Sequence, residues 1–201
     1  YPNKIVNQKL HALYRASTYS LRVENGEQAV MLLIQSKLIQ GDLEQYINGV
    51  IKQDFNLVIR EFRTFDPDLE FRGFVYQGKM TALTQYNEFV YFPVLKDRSQ
   101  GIANFIIKEF TERIFPKIPI QNCVVDFVLC VDTEEHYANR SDRFSGLQVF
   151  VVELNPLAEF AGTGLFSWEH DKATLLGRNP FEFRMLTEVP PFQVQNLPSA
   201  W

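Results

Sequence analysis

Three oxygen-bearing side chains sit in stretches that otherwise read as buried strand. "NCVVDFVLCVD" (122–132) carries Asp126, and "VVELNPLAEF" (151–160) carries Glu153 and Asn155. Side chains alternate faces along a strand, so Glu153 and Asn155 share one face and Leu154 takes the other. If the two stretches pair antiparallel, all three groups reach one surface. Two carboxylates and an amide oxygen suit a hard cation, and Mg²⁺ takes few protein carboxylates, filling its other positions with water and phosphate oxygens. Like charges this close are costly unless a cation compensates them. Each group could equally be hydrogen-bonded by itself at a strand end, and spacing alone leaves both readings open. Arg60 ends "NLVIR" and Arg72 interrupts "EFRGFV". Arginine pairs bidentately with phosphate and stays charged when partly buried. Arg72 is thus a phosphate clamp or the partner of Glu70 or Glu61 in an ion pair, whereas Lys79 reads as solvated. Neither GxGxxG nor GxxxxGK[ST] occurs, so a Rossmann or P-loop phosphate cradle is excluded. No Ser–His–Asp arrangement stands out, and no residue is assigned a catalytic role.

The elements that must position these residues follow from periodicity. "STYSLRV" (17–23) reads as a strand. A helix is expected from about Glu27 to Leu38 after the Asn25–Gly26 turn. "NLVIREF" (56–62) reads as a second strand, followed by a turn at Asp66–Asp68. "EFRGFVYQGKMTALTQYN" reads as a hairpin, with strands 70–76 and 79–86 about a turn at Gln77–Gly78. "GIANFIIKEFTERIF" (101–115) is an amphipathic helix stopped by Pro116. Strands around Asp126 and Glu153 are joined by the exposed loop "TEEHYANRSDRFSG" (133–146), which carries the sequon Asn139–Arg140–Ser141. "GTG" (Gly162–Gly164) reads as a flexible loop closing over the site. Beyond Phe160 the chain reads as an irregular, extended wrap. The fold class is α+β: a small lobe over 1–60, then a larger lobe over 61–201 on an antiparallel sheet flanked by helices.

Bulk composition narrows the function. At 201 residues, 46% hydrophobic with 18 Phe, the chain can bury a sizeable core. A net charge of −4 argues against a generic nucleic-acid surface. No apolar run reaches membrane-span length. Cys123 and Cys130, seven residues apart on one strand, cannot bridge each other and read as buried free thiols of a reducing, cytoplasmic compartment, where the sequon stays unmodified. Three His and no CxxC or HExxH pattern argue against zinc. "YPNKIVNQKL" reads as neither a signal nor a transit peptide, and the missing initiator Met suggests a fragment or processed product.

The order "LVIREF … EFRGFVYQGKMTALTQ … VVDFVL … VFVVELNPLAEFAGTGLFSWE" resembles the cell division cycle protein 123 family, from about Ser17 to Glu169. The resemblance implies an ATP-grasp fold binding ATP with Mg²⁺. By position, Asp126, Glu153 (where the family usually has Asp) and Asn155 match its metal ligands, and Arg72 its phosphate-contacting arginine. Arg60, Glu61 and Phe62 match the hinge that receives adenine, with Phe62 in place of a Trp. Trp168 and Glu169 match a block inferred to pack. The family's upstream Lys segment has no counterpart here, so the chain is truncated before it or its lobe is degenerate. "TQYN" brings Tyr86 and Asn87 where the family has Arg–Asp. The resemblance implies a cytoplasmic factor that assembles eukaryotic translation initiation factor 2 through its gamma subunit. Two other readings share these residues: an ATP-dependent ligase forming an acyl phosphate and joining a carboxylate to an amine or thiol, and an interaction module that has lost nucleotide binding.

Overall fold

The structure is a computed structural model that describes residues 2–191 apart from 51, 53–55, 134, 136–137, 139–141 and 143. The sequon therefore lies outside the described residues. The chain divides into two compact units, one of residues 1–14 with 63–201, the other of Arg15–Phe62.

The smaller unit is helical. Helix α1 (Pro2–Ser20) runs into it from the first unit, and α2 (Gly26–Gln35) and α3 (Lys37–Ile47) follow. Asn25 caps α2: its side-chain oxygen accepts the Gln28 amide at 3.0 Å, while the Gln28 side chain accepts the Glu24 amide at 2.8 Å. The expected helix over 27–38 is broken at Ser36, whose extended backbone ends α2 and whose hydroxyl caps α3 by accepting from the Ile39 amide. Both expected strands of this region are corrected. Residues 17–20 continue α1, because a helix already running from Pro2 propagates at little cost, and β-branched residues yield when no strand lies alongside. Residues 56–62 join no ladder, and Leu57, Val58 and Ile59 are exposed.

The larger unit is a mixed five-stranded sheet in the order β4-β3-β1-β2-β5. Its strands are β1 (Glu70–Tyr76), β2 (Lys79–Gln85), β3 (Cys123–Cys130), β4 (Gln148–Pro156) and β5 (Glu182–Arg184). The first four run antiparallel as expected; β5 pairs parallel to β2, so the sheet is mixed and the fold α+β. The hairpin turns at Gln77 and Gly78, both at positive φ, the backbone a two-residue turn between twisted strands requires. A side chain at Gly78 would meet the Phe115 ring, so glycine is needed there for space as well.

Alternation splits the core in two. Phe71, Val75, Leu83, Val125, Phe127 and Leu129 face α4 (Ser99–Glu109) and bury Ile102, Ala103 and Ile106 against the sheet. After α4 the chain keeps helical form through a π turn at Phe110–Ile114 and a 3₁₀ turn at Phe115–Lys117, so Pro116 lies within the ending rather than before it. On the opposite face Phe74, Ala82 and Val124 pack with Phe166 and Leu175. Cys123 and Cys130 are buried and form no disulfide with each other, and burial raises the Cys123 thiol. The segment expected to be an irregular wrap contains the short helix α5 (Lys172–Leu175) and β5. Arg184 anchors it, pairing with both Asp171 oxygens at 2.7 and 2.8 Å and lying 4.1 Å over the Phe166 ring. Among the described residues, no helix is long and apolar enough to cross a membrane.

The second core rests on Phe74, fully buried and edge-on to Phe166 and Trp168 at 5.8 and 6.5 Å between centroids. Phe74→Ala should lower unfolding free energy by about 3–5 kcal/mol, read as a lower urea midpoint at unchanged slope.

Candidate functional site

One row across three strands carries the chemistry. Arg72 on β1 lies opposite Asp126 on β3, and Asp126 lies opposite Glu153 on β4. Residues opposite each other in antiparallel strands share a face, so all three project from the side away from α4. Asn155 lies opposite Val124, the next position of that face.

The alignment depends on a bulge. Val151 lies opposite Phe127, yet Glu153 lies opposite Asp126, so Val152 is an extra residue in β4. Val149 and Val151 pack with the helix-covered core. Strict alternation would send Glu153 and Asn155 to that same apolar face. The inserted residue turns them to the face of Asp126.

The contacts are tight. Arg72 donates from Nε to Asp126 Oδ1 at 2.7 Å and from Nη2 to Oδ2 at 2.8 Å. Asp126 is fully buried, and the Arg72 side chain is only 13% exposed. Asn155 donates from Nδ2 to Glu153 Oε1 at 2.9 Å and, at 3.4 Å, to Asp126 Oδ2. Above Arg72, the Tyr86 ring centre lies 5.0 Å from the guanidinium carbon. The third donor, Nη1, reaches the Gly162 carbonyl at 2.8 Å. The loop expected to be flexible is thus tied to the site. Thr163 Oγ donates to the Phe166 carbonyl at 2.7 Å, Trp168 Nε1 donates to the Ala161 carbonyl at 3.1 Å, and Gly164, at φ +58°, lies against Thr84. Trp168 therefore packs, as inferred, and Glu169 is exposed.

Among the described residues, negative charge outweighs positive here. Asp126 and Glu153 face one guanidinium, and Glu70 joins them two residues before Arg72 on the same face of β1. Burial, then the charges of Asp126 and Glu153, push the Glu70 carboxyl up to about 8 against the opposing pull of Arg72. Burial likewise raises the Asp126 carboxyl, opposed by Arg72, while the hydrogen bonds to Asp126 raise the Arg72 guanidinium. Burial, followed by Glu70 and Asp126, raises the Tyr86 hydroxyl.

Of the residues singled out by sequence, the structure gathers Arg72, Asp126, Glu153 and Asn155. The bidentate partner of Arg72 is Asp126, rather than the Glu70 or Glu61 weighed from sequence. Arg60, Glu61 and Phe62 belong to the other unit, where Arg60 and Glu61 are exposed and Phe62 lies against Tyr19 and Arg22. Lys79 is exposed, as expected. Sequence reasoning missed Tyr86 and Gly162 as contacts of Arg72. Asn87, by contrast, is buried away as a structural group, donating to the Pro67 carbonyl at 2.8 Å. Among the described residues, no three His, Cys, Asp or Glu side chains are spaced to hold a metal ion. The set at hand is instead two carboxylates and an amide; Arg72 takes both Asp126 oxygens and Asn155 turns its Nδ2 to both carboxylates, so the set would fit a divalent cation once Arg72 moves off and the amide presents its oxygen.

A family model described as D123 matches residues 11–198. A curated relative, the "Translation initiation factor eIF2 assembly protein" of Dictyostelium discoideum, is 30% identical over 155 residues, 75% of this chain and 37% of that protein. The "Cell division cycle protein 123" of Candida glabrata is 28% identical over 144 residues, 70% of this chain and 36% of that one. The chain thus spans little more than a third of the length of the curated relatives it matches. Among solved structures, Cdc123 from Schizosaccharomyces pombe aligns with a TM-score of 0.55 at 19% identity, over 78% of this chain and 60% of that one. Its C-terminally truncated form aligns at 0.59 and 20%, over 80% and 62%. At these identities the likeness is one of fold.

The Glu70 shift has a stability consequence. A carboxyl that titrates at 4.5 when unfolded and at about 8 when folded binds its proton more tightly in the folded state. Its stabilisation is complete below the unfolded value and is lost as pH rises through the folded one. Glu70→Gln, measured without divalent cations, should be more stable than wild type by at least about 1.4 kcal/mol at pH ~9, one pKa unit's worth, and should lose this advantage near pH ~5. Urea midpoints across that range check it.

Proposed function

The chain belongs to the D123 family, and from that premise we propose that it binds ATP with Mg²⁺ in an ATP-grasp-like fold and acts in assembling a protein complex. The family resemblance read from the sequence is thereby borne out. By analogy with the relatives' names, the complex is translation initiation factor eIF2. The observation that carries the nucleotide reading is the gathering of Arg72, Asp126, Glu153 and Asn155 on one face with more carboxylates than cations. The chemistry such an ion would supply is neutralisation of phosphate charge. Asp126, Glu153 and Asn155 would hold it, with Arg72 supplying bidentate donors to a phosphate. Arg60, Glu61 and Phe62 are the proposed adenine hinge. The buried thiols Cys123 and Cys130 suit a reducing, cytoplasmic compartment.

A second reading has its own support. Arg72 already satisfies both oxygens of Asp126, so the pair needs no ligand to be stable, and Tyr86 stacks where the family has a charged side chain. This suits an interaction module that has lost the nucleotide. One measurement separates the two. ATP with Mg²⁺ at a hundredfold excess over Kd should stabilise the protein by about 2.7 kcal/mol, visible as a melting shift. The shift should vanish with EDTA, and in Asp126→Asn and Glu153→Gln. A shift that survives in both variants would defeat the site assignment, and no shift in wild type would favour the module.

A further inference from the structure

Arg72 divides its donors between two parts of the fold. Two go to the buried carboxylate of Asp126, and the third goes to the Gly162 carbonyl in the loop 157–166. The loop passes as close as a backbone can: a Cβ at Gly162 would lie 2.9 Å from Arg72 Nη1. The span of loop around that contact is also held by Arg184, whose Nη1 donates to the Leu165 carbonyl at 3.2 Å, and by Leu157, Ala161 and Phe166, which pack in the second core. Leu165 donates its amide to Thr84 Oγ at 3.4 Å, and Trp168 reaches the Ala161 carbonyl. Phe160, at its crest, is 81% exposed.

A divalent cation and a guanidinium compete for the same two oxygens. A cation seated on Asp126 removes Arg72's acceptors and repels its charge. A phosphate arriving with the cation offers a better bidentate partner. Arg72 cannot then also keep its geometry at Gly162, because the fork of donors is rigid.

We propose that Arg72 is a latch: bound to Asp126 it holds the Gly162 loop against the sheet, and a cation–phosphate ligand draws it away and releases the loop. The trigger rests on the nucleotide reading above; the latch itself does not. Release exposes the backbone of 157–164 beside Phe160, so ligand state becomes a change of surface that a protein partner can sense.

Hydrogen exchange at the amides of Ala161 and Leu165 tests it. Ligand-free Arg72→Met should exchange there about tenfold faster than wild type, and ATP with Mg²⁺ should speed wild type to a similar level while adding nothing to the variant. Since Arg72→Met leaves Asp126 buried without its partner, the double variant R72M/D126N and the single variant Gly162→Ala, which keeps the pair and pushes the loop off Nη1, are measured alongside. They too should exchange faster without ligand. Wild-type exchange in all three variants overturns the latch. A melting shift with ATP and Mg²⁺ but unchanged loop exchange overturns the trigger and leaves the binding reading standing. No melting shift, with fast exchange in the variants, overturns the nucleotide reading and the trigger with it.

Discussion

The face of the sheet away from α4 depends on one contact, the bidentate pair between Arg72 and the fully buried Asp126. A carboxylate at the centre of a sheet is costly to leave uncompensated, and breaking a buried pair by removing one partner typically costs about 3–5 kcal/mol. Its neighbours are arranged around that requirement. Asn155 bridges Glu153 and Asp126, the Tyr86 ring covers the guanidinium, and the Gly162 carbonyl takes the remaining donor. The second core closes beside it, with Phe74 two residues along β1 from Arg72 and Phe166 and Trp168 packed on that ring. Apolar packing there excludes water from one flank of the pair, which strengthens the pairing and raises the cost of any unpaired charge nearby.

How those groups meet is a matter of register. Three strands supply the site, but only because β4 gains one residue at Val152 does its polar pair share a face with Asp126. Bulges commonly re-aim side chains in this way. The device also settles a conflict within β4. Its first half must present Val149 and Val151 to the helix-covered core, and its second half must present Glu153 and Asn155 to the other side. With a period of two and odd positions in both halves, no regular strand can do both.

The hairpin, the strands carrying Asp126 and Glu153, and the antiparallel pairing between them were legible because alternation and turn residues agree there. The bulge was legible in principle: "VFVVELN" puts apolar residues at 149 and 151 and polar ones at 153 and 155, a parity clash that only an inserted residue resolves. The pairing of Arg72 with Asp126 was not legible, since it needs the register between β1, which ends at Tyr76, and β3, which starts only at Cys123. Residues 17–20 and 56–62 misled because Thr, Tyr, Leu, Val and Ile favour strands only where a neighbour exists to pair with. Arg184 gave no sequence signal at all, because its partners Asp171 and Glu182 acquire meaning only once β5 lies beside β2.

Stability alone does not account for the surplus of carboxylates. A buried guanidinium needs one carboxylate, and Asp126 supplies it. Glu153 and Glu70 add charge that the fold must suppress, and it does so by keeping the Glu70 proton up to about pH 8. An apolar residue in place of Glu70 would remove that cost, since replacing buried charges by packed hydrophobic groups is commonly neutral or stabilising, whereas Glu153 is exposed. β4 meanwhile spends a bulge to bring Glu153 and Asn155 toward Asp126 when regular pairing would have kept them apart. The bulge is thus what gives this face its polar row, where regular pairing would have split it between the two sides of the sheet. The same reasoning explains why the counter-ion is an arginine with a third donor to spare. A lysine could neutralise Asp126, but its compact ammonium lacks the planar fork that holds the carboxylate and the Gly162 carbonyl at once.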